Sequence, residues 1–413
     1  MILSPLRATL WAEAPRLLLL ALAYGLLVAV TQAYFTPSGD ATSASLVWPA
    51  SGLALAALLL GGWRLWPAIL VAKVACNLWG GQVLAAALLG GVGSSAAAVL
   101  GGWLLIRAPG FDTRLAQSRD FLWLALVAVI SPAPSAILGA GGLWLFGDLP
   151  GSELATSVLG WWQGDALGVL LAAPLLLVWR EAPRWRWRQQ GIEVAACLML
   201  TLLLGYRVLQ APGVASRELA ALTYLPFLPL GWAALRFGRH GAVLVLTLLA
   251  VFALLGVAQG EGAFASRATE RGLLQLWLYL MVLTSVGLSL ALVFNEARVA
   301  MARLAESEER FRLLADFAPV GIYQTDAEGA CTYSNPRWQE ISGISAEQTL
   351  GEGWSAVVHP DDRTSVLEGW RSTAAEHREF AMDFRLLRRD GEVRYLRSRA
   401  RRLFPEHGPG GGF

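Results

Sequence analysis

The residues that invite chemistry in this chain are the few ionisable ones set inside apolar runs. Asp165 lies in WWQGDALG, and Lys73 lies in AILVAKVACNLW, one helical turn before Asn77. A charge in hydrocarbon is expensive, so such groups mark binding sites or ion paths by default. Both fall in the same half of the bilayer on the topology derived below. An Asp165–Lys73 ion pair lined by Trp48, Trp79, Trp161 and Trp162 would make a polar pocket for a small ligand. A second reading lets Lys73 snorkel outward along its methylene stem while Asp165 hydrogen-bonds neighbouring helices. The sequence leaves both open. The tryptophans also suit simple anchoring at the membrane–water interface.

Other chemistries find little support. Cys76, Cys197 and Cys331 lie far apart with no CxxC spacing, so they suggest neither a disulfide framework nor a zinc site. There is no P-loop, no kinase-type glycine-rich nucleotide box, no cyclase signature, no nucleophile elbow and no HExxH metal motif. The GPGGGF at 408–413 lacks the strand, helix and lysine of a phosphate loop. No catalytic domain, metal site or cofactor is therefore expected from these residues. A net charge of +2 gives no argument for nucleic acid.

The elements that must position Asp165 and Lys73 are membrane helices. Of 413 residues 55% are hydrophobic and only 15% charged, where soluble domains carry about a quarter. Runs long enough to cross a hydrocarbon core of about 30 Å occur near 16–35, 83–106, 120–146, 154–179, 191–209, 219–236, 241–258 and 272–295. Two shorter runs, 46–61 and 65–80, contain Pro49 and Pro67 and read as two tilted spans or one re-entrant hairpin. The expectation is thus about eight to ten spans. Arg7 and Arg16 precede the first run without a small-residue cleavage site, so that run is read as a retained span.

Arginines set the orientation, because cytoplasmic loops keep positive charge. Arg64; Arg107, Arg114 and Arg119; Arg180, Arg184, Arg186 and Arg188; and Arg236 and Arg239 fall in loops on one side. The alternate loops 36–45 and 147–153 carry Asp40, Asp148 and Glu153 and no base; only Arg207, Arg217, Arg267 and Arg271 dilute the bias. Both termini are expected in the cytoplasm. Pro132, Pro134, Pro174, Pro226 and Pro229 would kink spans, and Gly93, Ala97 and Gly101 allow close helix approach, within the chain or between copies.

After the last span the composition turns charged. Ala300, Leu304, Ser307, Phe311 and Leu314 alternate spacings of four and three, the seam of a short parallel coiled coil or the apolar cap of a linker helix. From Pro319 onward two strands joined at Gly329, short helices and a long hairpin at 379–400 turning at RDG describe a small α+β domain with an antiparallel sheet.

These segments resemble known families. FAPVGIYQTDAEGACTYSN at 317–335, the helix through Trp338, Ile341, Ser342 and Gly343, VVHPDDR at 357–363 and FRLLRRDGEVRYLRSRARRL at 384–403 resemble a PAS domain of the subtype bearing HPDD. Asp361 or Asp362 would cap the helix that follows. The final strand of that family is missing from the sequence, so the expectation is either that the gene product continues or that a sheet edge is left open. VWPASGLALAALLLGGWRLWPAILVAKVACNLW at 47–79, WWQGDALGVLLAAPLLL at 161–177 and LPFLPLGWAALRFGRHGA at 225–242 resemble the first type of bacterial membrane-associated sensor domain, MASE1. Within the PAS-like part the helix QEISGISAEQTLGEG has no cysteine for flavin photochemistry. His359 and His377 are the haem-ligand candidates, with His359 read as structural.

The expected organisation is a polytopic membrane sensor domain at 1–296, a signalling helix at 297–316 and a PAS-like domain at 317–413. The resemblance implies a sensory input module in a bacterial inner membrane, acting as a homodimer and feeding a cytoplasmic output domain or partner protein, such as a histidine kinase or diguanylate cyclase. A transporter with a regulatory tail is the competing class; broken helices favour it, but no inverted repeat is visible.

Overall fold

The computed structural model describes residues 4–35, 45–146, 148–183, 187–211, 222–264, 270–326, 328–376 and 379–401. Asp40 and its loop, Arg184, Arg186, Arg217, Arg267, His377 and the terminal residues 402–413 lie outside them, as do the side chains of Arg7, Arg188 and Arg271. The chain divides into two units, Met1–Val299 and Ala300–Phe413.

In the first unit each apolar run has become helix: α1 (Ser4–Phe35), α2 (Pro49–Gly61), α3 (Trp66–Trp79), α4 (Leu84–Arg107), α5 (Ser118–Ile130), α6 (Ala133–Leu145), α7 (Leu154–Trp179), α8 (Trp187–Leu204), α9 (Phe227–Ala258) and α10 (Glu270–Asp316). Seven of the described helical segments are long and apolar enough to cross a membrane, and Pro49–Gly61 is a shorter apolar helix. This departs from the expected eight long spans at one place. The runs 219–236 and 241–258 merge into α9, but at Gly238 the backbone leaves helical geometry with φ 63° and ψ −152°. A continuous helix over Leu222–Ala258 would measure about 55 Å, far more than the bilayer core. The left-handed φ, which glycine adopts without a Cβ clash, divides α9 between Arg236 and Arg239.

Prolines act mostly at helix starts. Pro132 and Pro134 split the expected 120–146 span into α5 and α6. Pro226 and Pro229 stand at the entry of α9, where no intrahelical N–H is needed. Of the five, only Pro174 is well inside a helix.

Small residues decide the packing. A Cβ at Gly93 would press on Pro134, Ser135 and Leu138, and one at Gly101 on Leu55 and Ser131. The small-residue stripe thus packs within the chain. Gly168 lies directly against the Trp48 carbonyl and Gly164 against that of Ser45, while the Trp48 N–H donates to the Gly164 carbonyl at 2.9 Å. The start of α2 therefore rests on the backbone of α7, and no larger residue fits there.

The arginine-bearing loops meet at one end of the bundle. Arg114 and Arg239 both reach Glu181, at 3.1 and 3.2 Å, Arg236 pairs with Glu193, and Arg239 donates to the Arg114 carbonyl. Glu296 on α10 accepts from the Ser118 N–H at 2.6 Å and from its hydroxyl at 3.0 Å, Asn295 donates to the Ala116 carbonyl, and Arg298 donates to that of Leu235. Such exposed pairs contribute little stability singly; their geometry fixes which loops are neighbours.

In the second unit the helix α10 ends at Asp316, and β1 (Tyr323–Thr325), β2 (Cys331–Ser334), α11 (Pro336–Ser342), α12 (Ala346–Thr349), α13 (Pro360–Glu376), β3 (Phe380–Leu387) and β4 (Val393–Ala400) follow the expected order. The strands pair antiparallel as β1–β2 and β3–β4, two separate ribbons among the described residues. Tyr323 Oη and Ser398 Oγ, 2.9 Å apart, link the ribbons through side chains. Asn335, fully buried, caps α11 by accepting from the Trp338 N–H, accepts also from Ile322 N–H, and donates to the carbonyls of Ala315 and Val320. One side chain thereby fixes the last turn of α10 to the first strands.

Candidate functional site

A cavity opens among α1, α2, α3, α4, α6 and α7. It lies toward the bundle end opposite the arginine loops, since it is reached by the C-terminal parts of α1 and α3 (Gln32, Asn77) and the starts of α2 and α4 (Ser45, Gln82). Asp165, Lys73, Asn77, Trp48 and Trp161 all line it.

The two charges do not pair directly. Asp165, 5% exposed, accepts a hydrogen bond of 2.6 Å from Ser51. The Lys73 ammonium, on a residue also 5% exposed, sits 4.3 Å from the centroid of the Trp48 ring and 5.4 Å from that of Trp161. No ion pair between Lys73 and Asp165 is present among the described residues, in place of the contact envisaged from sequence. Nor has Lys73 snorkelled to solvent: its head is held inside by two aromatic faces. Asn77 is buried and its amide nitrogen has no hydrogen-bond partner.

Two tryptophans expected in the wall are elsewhere. Trp79 is 93% exposed at the end of α3, as suits an interfacial anchor. Trp162 turns away from the cavity, donates to the Val129 carbonyl at 2.7 Å and lies 5.8 Å from the ring of Trp277 on α10. Trp277 in turn donates to the carbonyl of Gln163 at 2.9 Å, the residue beside the cavity-lining Gly164 and Asp165. The cavity wall and α10 are thus joined through one stretch of α7.

Sequence reasoning missed Ser45, Ser51, Ser94, Ser135, Gln32 and Gln82. Serines satisfy themselves on helix carbonyls and carry no periodic signal; only the company of WPASG with Trp48 pointed toward Ser51.

The PAS-like unit holds a second cavity, walled by Tyr323, Trp338, Trp354, Trp370, Phe380 and Phe384. Its lining is apolar. Cys331 borders it, and burial pushes its thiol above the ordinary value, away from thiolate reactivity. His359 is not in this wall; its Nδ1 accepts from the Asp361 N–H at 3.4 Å. Asp361 and Asp362, expected as helix caps, stand inside the first turn of α13. Asp362 instead accepts from the backbone N–H and guanidinium of Arg385 on β3 at 2.6–3.0 Å. Among the described residues no group of His, Cys, Asp and Glu side chains is placed to hold a metal ion.

Comparison with known proteins agrees with this layout. Residues 16–298 match the MASE1 family and residues 332–409 match the PAS fold. The probable diguanylate cyclase DgcE of Escherichia coli K12 is 23% identical over 369 residues, covering 85% of this chain and 31% of its own length. The uncharacterized protein y4lL of Sinorhizobium fredii is 40% identical over 97 residues, covering 24% of this chain and 12% of its own. The peroxide stress-activated histidine kinase mak1 of Schizosaccharomyces pombe is 31% identical over 100 residues, covering 22% of this chain and 6% of its own. The chain therefore spans less than a third of the length of these relatives. No solved structure matches.

Proposed function

The chain belongs to the MASE1 family, whose match covers more than half of it, and from that premise we propose that it is the sensory input part of a membrane receptor, with the cavity around Asp165 as its stimulus site. The observation that carries this reading is the Trp277 bond to Gln163. It ties the output helix α10 to the cavity wall, so a ligand that moves α7 moves α10. A ligand shifts such an equilibrium only by binding one arrangement better than the other, and the wall residues supply that difference.

The functional division follows the sequence reading: a sensor domain at 1–296, a signalling helix at 297–316 and a PAS-like relay at 317–413. The seam residues Leu304, Phe311 and Leu314 are exposed in the single chain, as are Ala300 and Ser307. An exposed apolar seam supports pairing with a second copy, making the receptor a homodimer. The arginine loops support a reading with both termini in the cytoplasm of a bacterium and the cavity toward the periplasmic side of the inner membrane. The relative aligned along most of this chain is named a probable diguanylate cyclase, which favours that output over a kinase in the whole receptor. Neither the fold nor the comparisons support a transporter.

Cysteine crosslinking in native membranes tests the coupling. With Leu304→Cys in the full chain, a disulfide dimer is expected, and Asp165→Asn is expected to change its yield at equal expression. Identical yields would separate the cavity from the output helix and remove the proposal.

A further inference from the structure

The walls of the membrane cavity carry opposite polarity. On α3, Lys73 and Asn77 are one helical turn apart and so share a face. The Lys73 ammonium has aromatic contacts but neither hydrogen bond nor ion pair among the described residues, and Asn77 Nδ2 is buried without an acceptor. Both are donors wanting an anion. An aromatic face compensates a buried ammonium less well than a carboxylate does. Across the cavity on α7, Asp165 accepts from the hydroxyls of Ser51 and Ser135, and a carboxylate has lone pairs for further donors. A simple anion would leave Asp165 facing it with like charge; a simple cation would meet Lys73 in the same way. A molecule with an anionic and a cationic end satisfies both walls and adds no net charge to a low-dielectric site.

We propose that this cavity binds a small zwitterion of the α-amino-acid class, with its carboxylate held by Lys73 and Asn77 and its ammonium by Asp165. The assignment deepens, and rests on, the reading of the same cavity as the stimulus site. The faces of Trp48 and Trp161 beside Lys73 add apolar walls for the ligand's carbon atoms.

Calorimetric titration and thermal unfolding of the full chain in nanodiscs test it. The probes are the common L-amino acids and glycine, acetate and propionate, which lack the ammonium, and ethylamine, which lacks the carboxylate. At least one amino acid is expected to bind saturably, about tenfold or more tighter than its matching carboxylate or amine, the worth of one charge-assisted hydrogen bond. Lys73→Met is expected to abolish that binding, and Asp165→Asn to reduce it to the level of acetate. Should a variant fail to fold, the comparison of amino acid, carboxylate and amine on the unaltered chain decides by itself. Equal binding of acetate and amino acid, binding of ethylamine alone, or no response to any amino acid at millimolar concentration overturns the assignment. The sensory reading is judged separately: it survives if Asp165→Asn still alters Leu304→Cys crosslinking, and falls with the assignment if it does not.

Discussion

Asp362 shows how one residue can be misread from its neighbours and still prove important. In HPDD it resembles a helix cap, yet its carboxylate is taken by Arg385, and that guanidinium and N–H lower its pKa from 3.8 to about 2. A carboxylate with a depressed folded-state pKa stabilises the fold above its unfolded value and loses that contribution as pH falls through the folded one. The PAS-like unit is therefore expected to lose stability between about pH 4 and about pH 2. Acid titration followed by near-ultraviolet circular dichroism should show Asp362→Asn with a shallower pH dependence in that window; an unchanged slope refutes the role. Trp370 is a different kind of residue. Its indole donates to the Gly329 carbonyl and its ring packs on Phe380 and Trp354. Trp370→Ala should cost about 3–5 kcal/mol, read as a lowered denaturation midpoint; a change near zero would mean the aromatic cluster is not the core of the unit.

Among the elements, α5 and α10 carry the most specific expectation. Ser118 is the first residue of α5, and Glu296 occupies its N–H and hydroxyl, while Asp120 accepts from the N–H groups of Gln117 and Asp112. Two carboxylates thus serve one helix N-terminus, where negative charge is favoured. The helix α10 rises about 28 Å between Trp277 and Glu296, close to the thickness of the hydrocarbon core, so the two contacts fix it near opposite faces. Removing Glu296 by Glu296→Ala should release the Ser118 amide, with a protection loss of about 2 kcal/mol for a charged hydrogen bond. Hydrogen exchange over 116–121 measures it, and unaltered protection would show that the clamp is not holding α5. On α7, Gly168→Val would drive a side chain into the Trp48 carbonyl. A strong drop in thermal stability in detergent is expected, and normal stability would deny the close approach of α2 and α7.

At the scale of the whole molecule, the loops bearing Arg114, Arg180, Arg236 and Arg239 belong to one end and the cavity lies toward the other. The orientation proposed from the positive-inside rule has the cavity on the outer side. A single cysteine at Ser152, beyond α6, should react with a membrane-impermeant thiol reagent in intact cells, and one at Thr113 should react only after lysis. The opposite pattern would invert the receptor and place the stimulus site on the cytoplasmic side.

Sequence alone determined what depends on solvent and on local backbone preference. Hydropathy runs gave the helices of the first unit because lipid forces every backbone group into internal hydrogen bonds. Alternation and turn residues gave β1 to β4 and the hairpin at Gly391. Asp165 and Lys73 stood out because a charge in an apolar run is costly wherever it points. What sequence left open depends on direction. Whether Lys73 meets Asp165, the aqueous interface or an aromatic face is set by how α2, α3 and α7 are rotated against one another, and glycines at 164 and 168 fix that only once the backbones touch. Trp161 and Trp162 are adjacent in the chain, yet one lines the cavity and the other meets α10, because successive residues on a helix point about 100° apart. The break of α9 at Gly238 was equally a tertiary matter: the two apolar runs were legible, but only the folded backbone shows a glycine in a left-handed conformation between them.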